Sequence, residues 1–246
     1  MKPTAFTHGG TTSSTPEARA ESFYRDGGAP AIMRAAHFPD ELLFFLQMEG
    51  LAALDAVSRH QCDSLVELGC YDGRALEVAK AARIPYLGVD ISSGAIGRLN
   101  CRIAEEGLQE QARAVLGDVL HSAEWAGEIT GEHPLHLLPF NLLGNFTEPE
   151  KVIAGLSGIG GTGLISVFNE QPSTTAVRRA YYTSCGIQHI EEAPGDYGGV
   201  VFRGEGGFRS QSFSEESMNQ LLDKANATVV GRTWNRLGQC VIARFC

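Results

Sequence analysis

The sequence predicts an α/β fold: a doubly wound, mostly parallel seven-stranded sheet with an antiparallel C-terminal hairpin. Three observations predict it. Short apolar runs, several ending at glycine or aspartate, alternate with segments of helical period five times as far as Cys185. Such alternation demands crossover connections, so the strands run parallel with helices on both faces. Beyond that, two β-rich stretches are separated only by Asn235-Arg-Leu-Gly238, as in a hairpin.

Each element follows from its local pattern. Residues 1–16 are polar and rich in Thr, Ser and Gly, and read as a loose tail. Residues 17–60 read as an N-terminal helical cover. There Leu43, Leu46, Leu54 and Val57 recur at roughly helical spacing, and Pro39 and Asp40 mark the start. Residues 61–246 form the main domain. Its first strand is Ser64-Leu-Val-Glu-Leu-Gly-Cys70, followed by a helix from Arg74 to Ile84. Pro85-Tyr-Leu-Gly-Val-Asp-Ile91 is the second strand. Ser92 and Ser93 can cap the next helix, which carries Ile96, Leu99 and Ile103 on one face. Ala112 to Leu120 and Leu135 to Leu143 read as the third and fourth strands, and Glu148 to Leu156 as a helix. Gly163 to Phe168 is the fifth strand and Thr174 to Cys185 a helix. The glycine-rich stretch 187–213 carries two β-prone patches, 199–203 and 208–213, and reads as an inserted hairpin or lid. Ser214 to Ala225 is helical, and the hairpin 228–234 with 239–245 closes a sheet edge.

Composition excludes several function classes. With 246 residues, 43% of them hydrophobic, the chain can bury a full core. Its 29 acidic residues against 20 basic ones give a net charge of −9, which argues against gripping nucleic acid by bulk charge. None of the six cysteines is spaced as a zinc knuckle or redox pair, so no metal is expected. The greasiest run, Leu42 to Val57, is broken by Gln47, Glu49 and Asp55, and no run reaches the ~18 apolar residues of a membrane helix. Met1 to Ala20 lacks the apolar core of a signal peptide. A soluble, cytoplasmic protein with reduced thiols and no membrane partner is expected.

The informative segment is Val66-Glu-Leu-Gly-Cys-Tyr-Asp-Gly73, a glycine turn leaving the first strand for a helix. Such turns let backbone approach a ligand. Asp90 ends the second strand 21 residues after Gly69, about the ~20-residue interval at which an acid can take a ribose hydroxyl pair. A nicotinamide dinucleotide would want G-x-G-x-x-G, but Tyr71 and Arg74 stand where the second and third glycines belong. Glu67 is also poorly placed beside a diphosphate. A ligand with a ribose, a positive group and no phosphate fits better.

In these residues the chain resembles the class I S-adenosylmethionine (SAM)-dependent methyltransferases, which have a Rossmann-like fold. The segment 66–73 resembles their motif I, Leu87-Gly-Val-Asp-Ile91 the acidic end of their second strand, and Leu116-Gly-Asp-Val119 the loop after their third. The similarity covers residues 60–170. It implies SAM as cofactor and S-adenosylhomocysteine as product. By the resemblance, Gly69 and Gly73 shape the turn, with Cys70 and Tyr71 between them, around the methionine part. Glu67 orients the loop or meets the amino group. Asp90, followed by Ile91, binds the ribose, and Asp118 and Val119 face the adenine. Tyr71 replaces the motif's middle glycine.

The same resemblance turns the end of the fourth strand towards the transferable methyl, which makes Phe140 and Asn141 the nearest candidates. Asn141, Asn169 and Tyr24 are the candidates for positioning substrate, Tyr24 as part of a lid. Glu170 could also reach an acceptor, and His37, His136 and His189 are candidate bases, although His136, within an apolar strand, reads more as a satisfied core residue. Tyr181 and Tyr182 read as helix packing. Leu142-Leu-Gly-Asn-Phe146 is similar to a segment of the histidine N-methyltransferases of ergothioneine biosynthesis. The expected activity is methyl transfer to oxygen or nitrogen of a small-molecule acceptor. Its rivals are a macromolecule methyltransferase, hinted at by Arg178, Arg179, Arg203 and Arg209, and a SAM-binding protein without catalysis.

Overall fold

The structure, a computed structural model, describes residues 23–25 and 28–245; the expected tail at 1–16 lies outside them. Five parallel strands, β1 (Ser64–Leu68), β2 (Tyr86–Asp90), β3 (Ala112–Leu116), β4 (Pro134–Leu138) and β5 (Gly161–Phe168), build the sheet. A three-stranded antiparallel sheet of β6 (Glu191–Pro194), β7 (Val200–Arg203) and β8 (Arg209–Gln211) forms the insert. The hairpin β9 (Thr228–Trp234) and β10 (Gly238–Phe245) completes the main sheet, where β10 lies antiparallel against β5. The order is β3-β2-β1-β4-β5-β10-β9. The chain therefore works outward from β1 to β3, then crosses back to β4. The carboxyl ends of β1 and β4 diverge at that reversal, which opens a crevice there.

Both faces of the sheet are covered, which explains why β1 is buried at all five positions, its polar Ser64 and Glu67 included. Helices α1 (Asp40–His60), α2 (Leu76–Ala82) and α3 (Ser93–Glu105) bring Ala53, Ala56, Leu76 and Leu99 onto Leu65, Leu135 and Leu164. On the opposite face α4 (Pro149–Ile159) and α6 (Glu215–Lys224) bring Val152, Leu156, Met218 and Leu222 onto Val66, Leu68 and Ile165. A third cluster joins Leu42 and Phe45 of α1 to Phe168, Tyr181 and Tyr182, the last two on α5 (Pro172–Ser184), and to Phe202 and Phe208 of the insert. The expected helix faces hold on α3, where Ser92 caps the N-terminus by accepting from the Ala95 amide.

Other expectations shift. On α1 the core face is Leu42, Phe45, Ala52, Ala53, Ala56 and Val57, whereas Leu43 is exposed and Leu46 and Leu54 are half-buried. Where nearly every position is apolar, the sheet beneath sets the phase. The third strand ends at Leu116: the Gly117 amide makes a last bond to Asp90, and Asp118 then turns the chain by accepting from the Leu120 amide at 2.9 Å. The fourth ends at Leu138, because Pro139 has no amide hydrogen and Phe140 and Asn141 adopt φ of 49° and 60°. The insert has three strands rather than two. The third, β6, is a solvent-facing edge of sequence Glu-Glu-Ala-Pro with no β signature of its own.

Candidate active site

A large cavity lies outside the carboxyl ends of β1, β2, β4 and β5. At one end are Glu67, Asp90 and Asp118; at the other are Tyr24, Ile32, Phe168, Tyr182 and Phe208. The turn after β1 makes the approach. Gly69 has φ of 62°, and a Cβ there would lie 2.8 Å from Leu142; at Gly73, φ 73°, a Cβ would lie 2.4 Å from Leu99. Only glycine meets both demands. Tyr71 takes φ of 47°, so an L-residue adopts the left-handed conformation in place of the motif's middle glycine, at a cost of about 1–2 kcal/mol. Its ring faces the cavity, and the Arg98 guanidinium lies 5.3 Å from the ring centroid.

Asp90 ties that turn to α3. One carboxylate oxygen accepts from the Tyr71 amide at 2.9 Å and the other from the Ser92 amide at 2.8 Å. Each oxygen keeps a further lone pair, and Asp90 lines the cavity. Burial raises its pKa despite those two donors. Glu67 is buried and accepts from the Tyr86 hydroxyl at 2.7 Å and the Ala75 amide at 3.1 Å. Desolvation outweighs these bonds and the nearby Arg74 charge, and pushes its pKa to about 7. Cys70, also on the lining, is buried, and desolvation holds its thiol protonated.

Two charged residues at the hinge of the site carry no motif. Glu49, in the middle of α1, is 3% exposed. It pairs with Arg74 at 2.5 Å and accepts from the Phe140 amide at 2.7 Å. Its carboxylate thus joins the first turn to the strained residue after β4. The signal was available: Glu49 lies four residues after Phe45 and four before Ala53, on the buried face. Arg74 lines the cavity, and its Nη1 is a buried donor without a partner.

The structure brings eleven of the thirteen expected site residues onto this lining. Besides Glu67, Gly69, Cys70, Tyr71 and Asp90, these are Ile91, Asp118, Val119, Phe140, Asn141 and Tyr24. Asn141 is nonetheless fully engaged. Its Oδ1 accepts from the Phe168 amide at 3.0 Å, and its Nδ2 donates to Gln211 O at 3.0 Å and Ser210 Oγ at 3.1 Å. It pins the insert to the strand ends, so its amide is a brace rather than a free hand for substrate. Gly73 shapes the turn without lining the cavity. Asn169 stands outside it: its side chain donates to Arg236 O and accepts from Gln171 N and Thr174 Oγ1, because the chain turns there towards α5 and the β9–β10 loop. Glu170 does not line it either.

The histidines are also elsewhere. His136 is a core residue, bonded through Nε2 to Gly160 O at 2.9 Å, and burial pushes its pKa down to about 4. Neither His37 nor His189 lines the cavity. Tyr24 does, and burial raises its pKa. Of the four arginines that hinted at a basic stripe, Arg178 and Arg209 are buried and Arg179 is bound to Glu192. The five cysteines among the described residues are free, and no helix among those residues is long and apolar enough to cross a membrane.

Solved structures share this architecture. Magnesium protoporphyrin IX methyltransferase from Synechocystis PCC 6803, with bound S-adenosylhomocysteine, matches with a TM-score of 0.61 at 13% identity, over 92% of this chain and 98% of that one. The 1,6-didemethyltoxoflavin-N1-methyltransferase of Burkholderia thailandensis matches with a TM-score of 0.59 at 17% identity, over 96% and 92%. The cyclase SpnF matches with a TM-score of 0.52 at 12% identity, over 79% and 80%. At these identities the shared property is the fold. No family model matches the chain, and neither does any curated protein.

Proposed function

We propose that the protein is a SAM-dependent methyltransferase acting on an oxygen or nitrogen of a small-molecule acceptor. The observation that carries this reading is one continuous cavity with an acidic end on the motif I turn and an aromatic end beneath the insert. The residues present fit the cofactor. Arg74 Nη1 is an orphaned donor suited to the methionyl carboxylate, and Glu67 suits the ammonium. Asp90 has lone pairs left for the ribose hydroxyls, while Asp118 and Val119 flank the adenine side.

When bound, the cofactor supplies an electrophilic methyl whose sulfur leaves as a neutral group. The chain then contributes alignment, worth up to ~7–11 kcal/mol. Phe140, on the lining after β4, and the aromatic wall keep water out and orient the acceptor. An alkylammonium acceptor near pKa 10 costs about 4 kcal/mol to deprotonate at pH 7. The apolar wall lowers that cost by disfavouring the charged form.

The small-molecule reading draws support from Arg178, Arg209 and Arg179, the first two buried and the third paired with Glu192, which leaves Arg203 alone of the four that suggested a basic stripe. Asn145 and Phe146 also line the cavity, so a histidine-like acceptor remains the narrower reading of segment 142–146. The described part of residues 17–60 serves as its cover in this reading, and a reducing cytoplasmic setting suits the free thiols. A second reading, a SAM-binding protein with another reaction, is favoured by the likeness to a cyclase.

Calorimetry with S-adenosylhomocysteine and NAD tests the site. Micromolar binding of the former alone, weakened at least tenfold in Asp90→Ala, is expected. Equal binding of NAD, or none of S-adenosylhomocysteine, defeats the proposal. A cavity that holds cofactor yet yields no methylated product from a broad acceptor panel favours the second reading.

A further inference from the structure

Behind the aromatic end of the cavity lies a cation with no carboxylate against it. Arg178, on α5, is 1% exposed. It donates to Val200 O at 3.1 Å, to Ser210 O at 2.6 Å and to Ser210 Oγ at 3.2 Å. Its guanidinium carbon lies 4.6 Å from the Phe202 ring centroid and 5.4 Å from that of Phe168. Glu192, which feels this charge from a distance, is itself held by Arg179. Among the described residues, only dipoles and aromatic faces therefore touch the charge directly.

Hydrogen-bond counting around Ser210 shows where that field is directed. Ser210 Oγ has two lone pairs and one proton. Arg178 Nη2 can only donate to it. Asn141 Nδ2 also donates, and the amide orientation is settled by the Phe168 amide on Oδ1 and the Gln211 carbonyl on Nδ2. Both lone pairs are taken. The Ser210 proton must then go to its remaining partner, Tyr182 Oη, at 2.6 Å. Tyr182 Oη is an acceptor in that bond, so its own proton needs another acceptor, and the described residues supply none. Both Tyr182 and Ser210 line the cavity.

We infer that Tyr182 is the residue that selects the acceptor substrate, donating its phenolic proton to a carbonyl or carboxylate oxygen carried on an otherwise apolar small molecule. The chain from Arg178 through Ser210 polarises that phenol, since linked hydrogen bonds strengthen one another. Apart from the Tyr24 hydroxyl, the surrounding wall of Tyr24, Ile32, Met33, Phe168 and Phe208 is apolar. The carboxylates on the lining, Glu67, Asp72, Asp90 and Asp118, all belong to the cofactor end, so an ammonium finds no partner here. The inference rests on the reading of the other end as the SAM site.

The test is ligand-observed NMR with benzoate and benzylamine, a matched anion and cation, on wild type, Tyr182→Phe and Ser210→Ala. Each is titrated with and without S-adenosylhomocysteine, and melting is followed in parallel. Benzoate is expected to bind wild type in preference to benzylamine. Its affinity falls about tenfold in Tyr182→Phe, as for loss of a hydrogen bond to a charged group. S-adenosylhomocysteine affinity stays within twofold. Ser210→Ala keeps the phenol and cuts its link to Arg178, and benzoate affinity falls several-fold. Absent benzoate binding, equal binding of both probes, or unchanged benzoate affinity in both variants overturns the assignment. Loss of S-adenosylhomocysteine binding in wild type instead defeats the SAM reading, and the probe titrations without it still judge Tyr182.

Discussion

Glu67 shows what a single carboxyl can report. It titrates at about 7 in the folded chain against an ordinary 4.5, because burial disfavours its charge. The folded state thus holds this proton more tightly than the unfolded state. The stabilisation is complete below about pH 4.5 and is lost as pH rises through about 7, a change of about 3 kcal/mol. Wild type should therefore lose melting temperature relative to Glu67→Gln between pH 5 and 7.5, as followed by calorimetry. Parallel curves for the two proteins would count against a buried, proton-holding Glu67. Over the same window S-adenosylhomocysteine should bind more tightly as pH rises, because the ionised carboxylate suits an ammonium.

At the level of elements, α1 does more than cover the sheet. Glu49 links this helix to the motif I turn through Arg74 and to the end of β4 through the Phe140 amide. Glu49→Ala leaves both donors without their acceptor. Breaking a buried pair costs about 3–5 kcal/mol, and the low end applies because the Arg74 side chain is 32% exposed. A fall in melting temperature of roughly 6–12 °C is expected for a chain of this size. Glu49→Gln keeps an acceptor for Phe140 and should recover part of that loss. Weaker S-adenosylhomocysteine binding should accompany both, since the turn and the strand end move together. A loss of stability below about 1 kcal/mol in Glu49→Ala would remove the hinge role. The insert is tied in the same manner: Asn141 bonds β8 on one side and the end of β5 on the other.

At the scale of the whole molecule, the cavity joins elements from distant parts of the chain, so its filling should be felt globally. A ligand that binds only the folded state adds about 2.7 kcal/mol at a hundredfold excess over its Kd. S-adenosylhomocysteine at that concentration should raise the melting temperature by roughly 5–10 °C. NAD at equal concentration should raise it by less than 1 °C. An equal rise with both would mean a general nucleotide pocket and would undercut the reading of the motif I turn.

The main sheet was legible in the sequence because its signals are local. Alternating short apolar runs and helical segments require crossovers, and crossovers leave few topologies. The clustering of Glu67, Gly69 and Asp90 on one cavity was legible for the same reason: they lie at strand ends, where spacing along the chain maps directly onto spacing in the fold. The acceptor end was not. Asn141 looked free and Tyr182 looked like packing, because their partners, Ser210 and Gln211, lie 28 to 70 residues away. Glu49 was read only as a break in an apolar run, since its partner Arg74 is 25 residues on and the Phe140 amide 91. Asn169 sits at a strand end as expected, yet the turn into α5 carries its side chain outside the cavity. Local pattern determined the scaffold and the motif I turn with its carboxylates. Which polar atoms remain free to meet a substrate was decided only by tertiary packing, because a hydrogen-bond inventory closes only when every partner is in place.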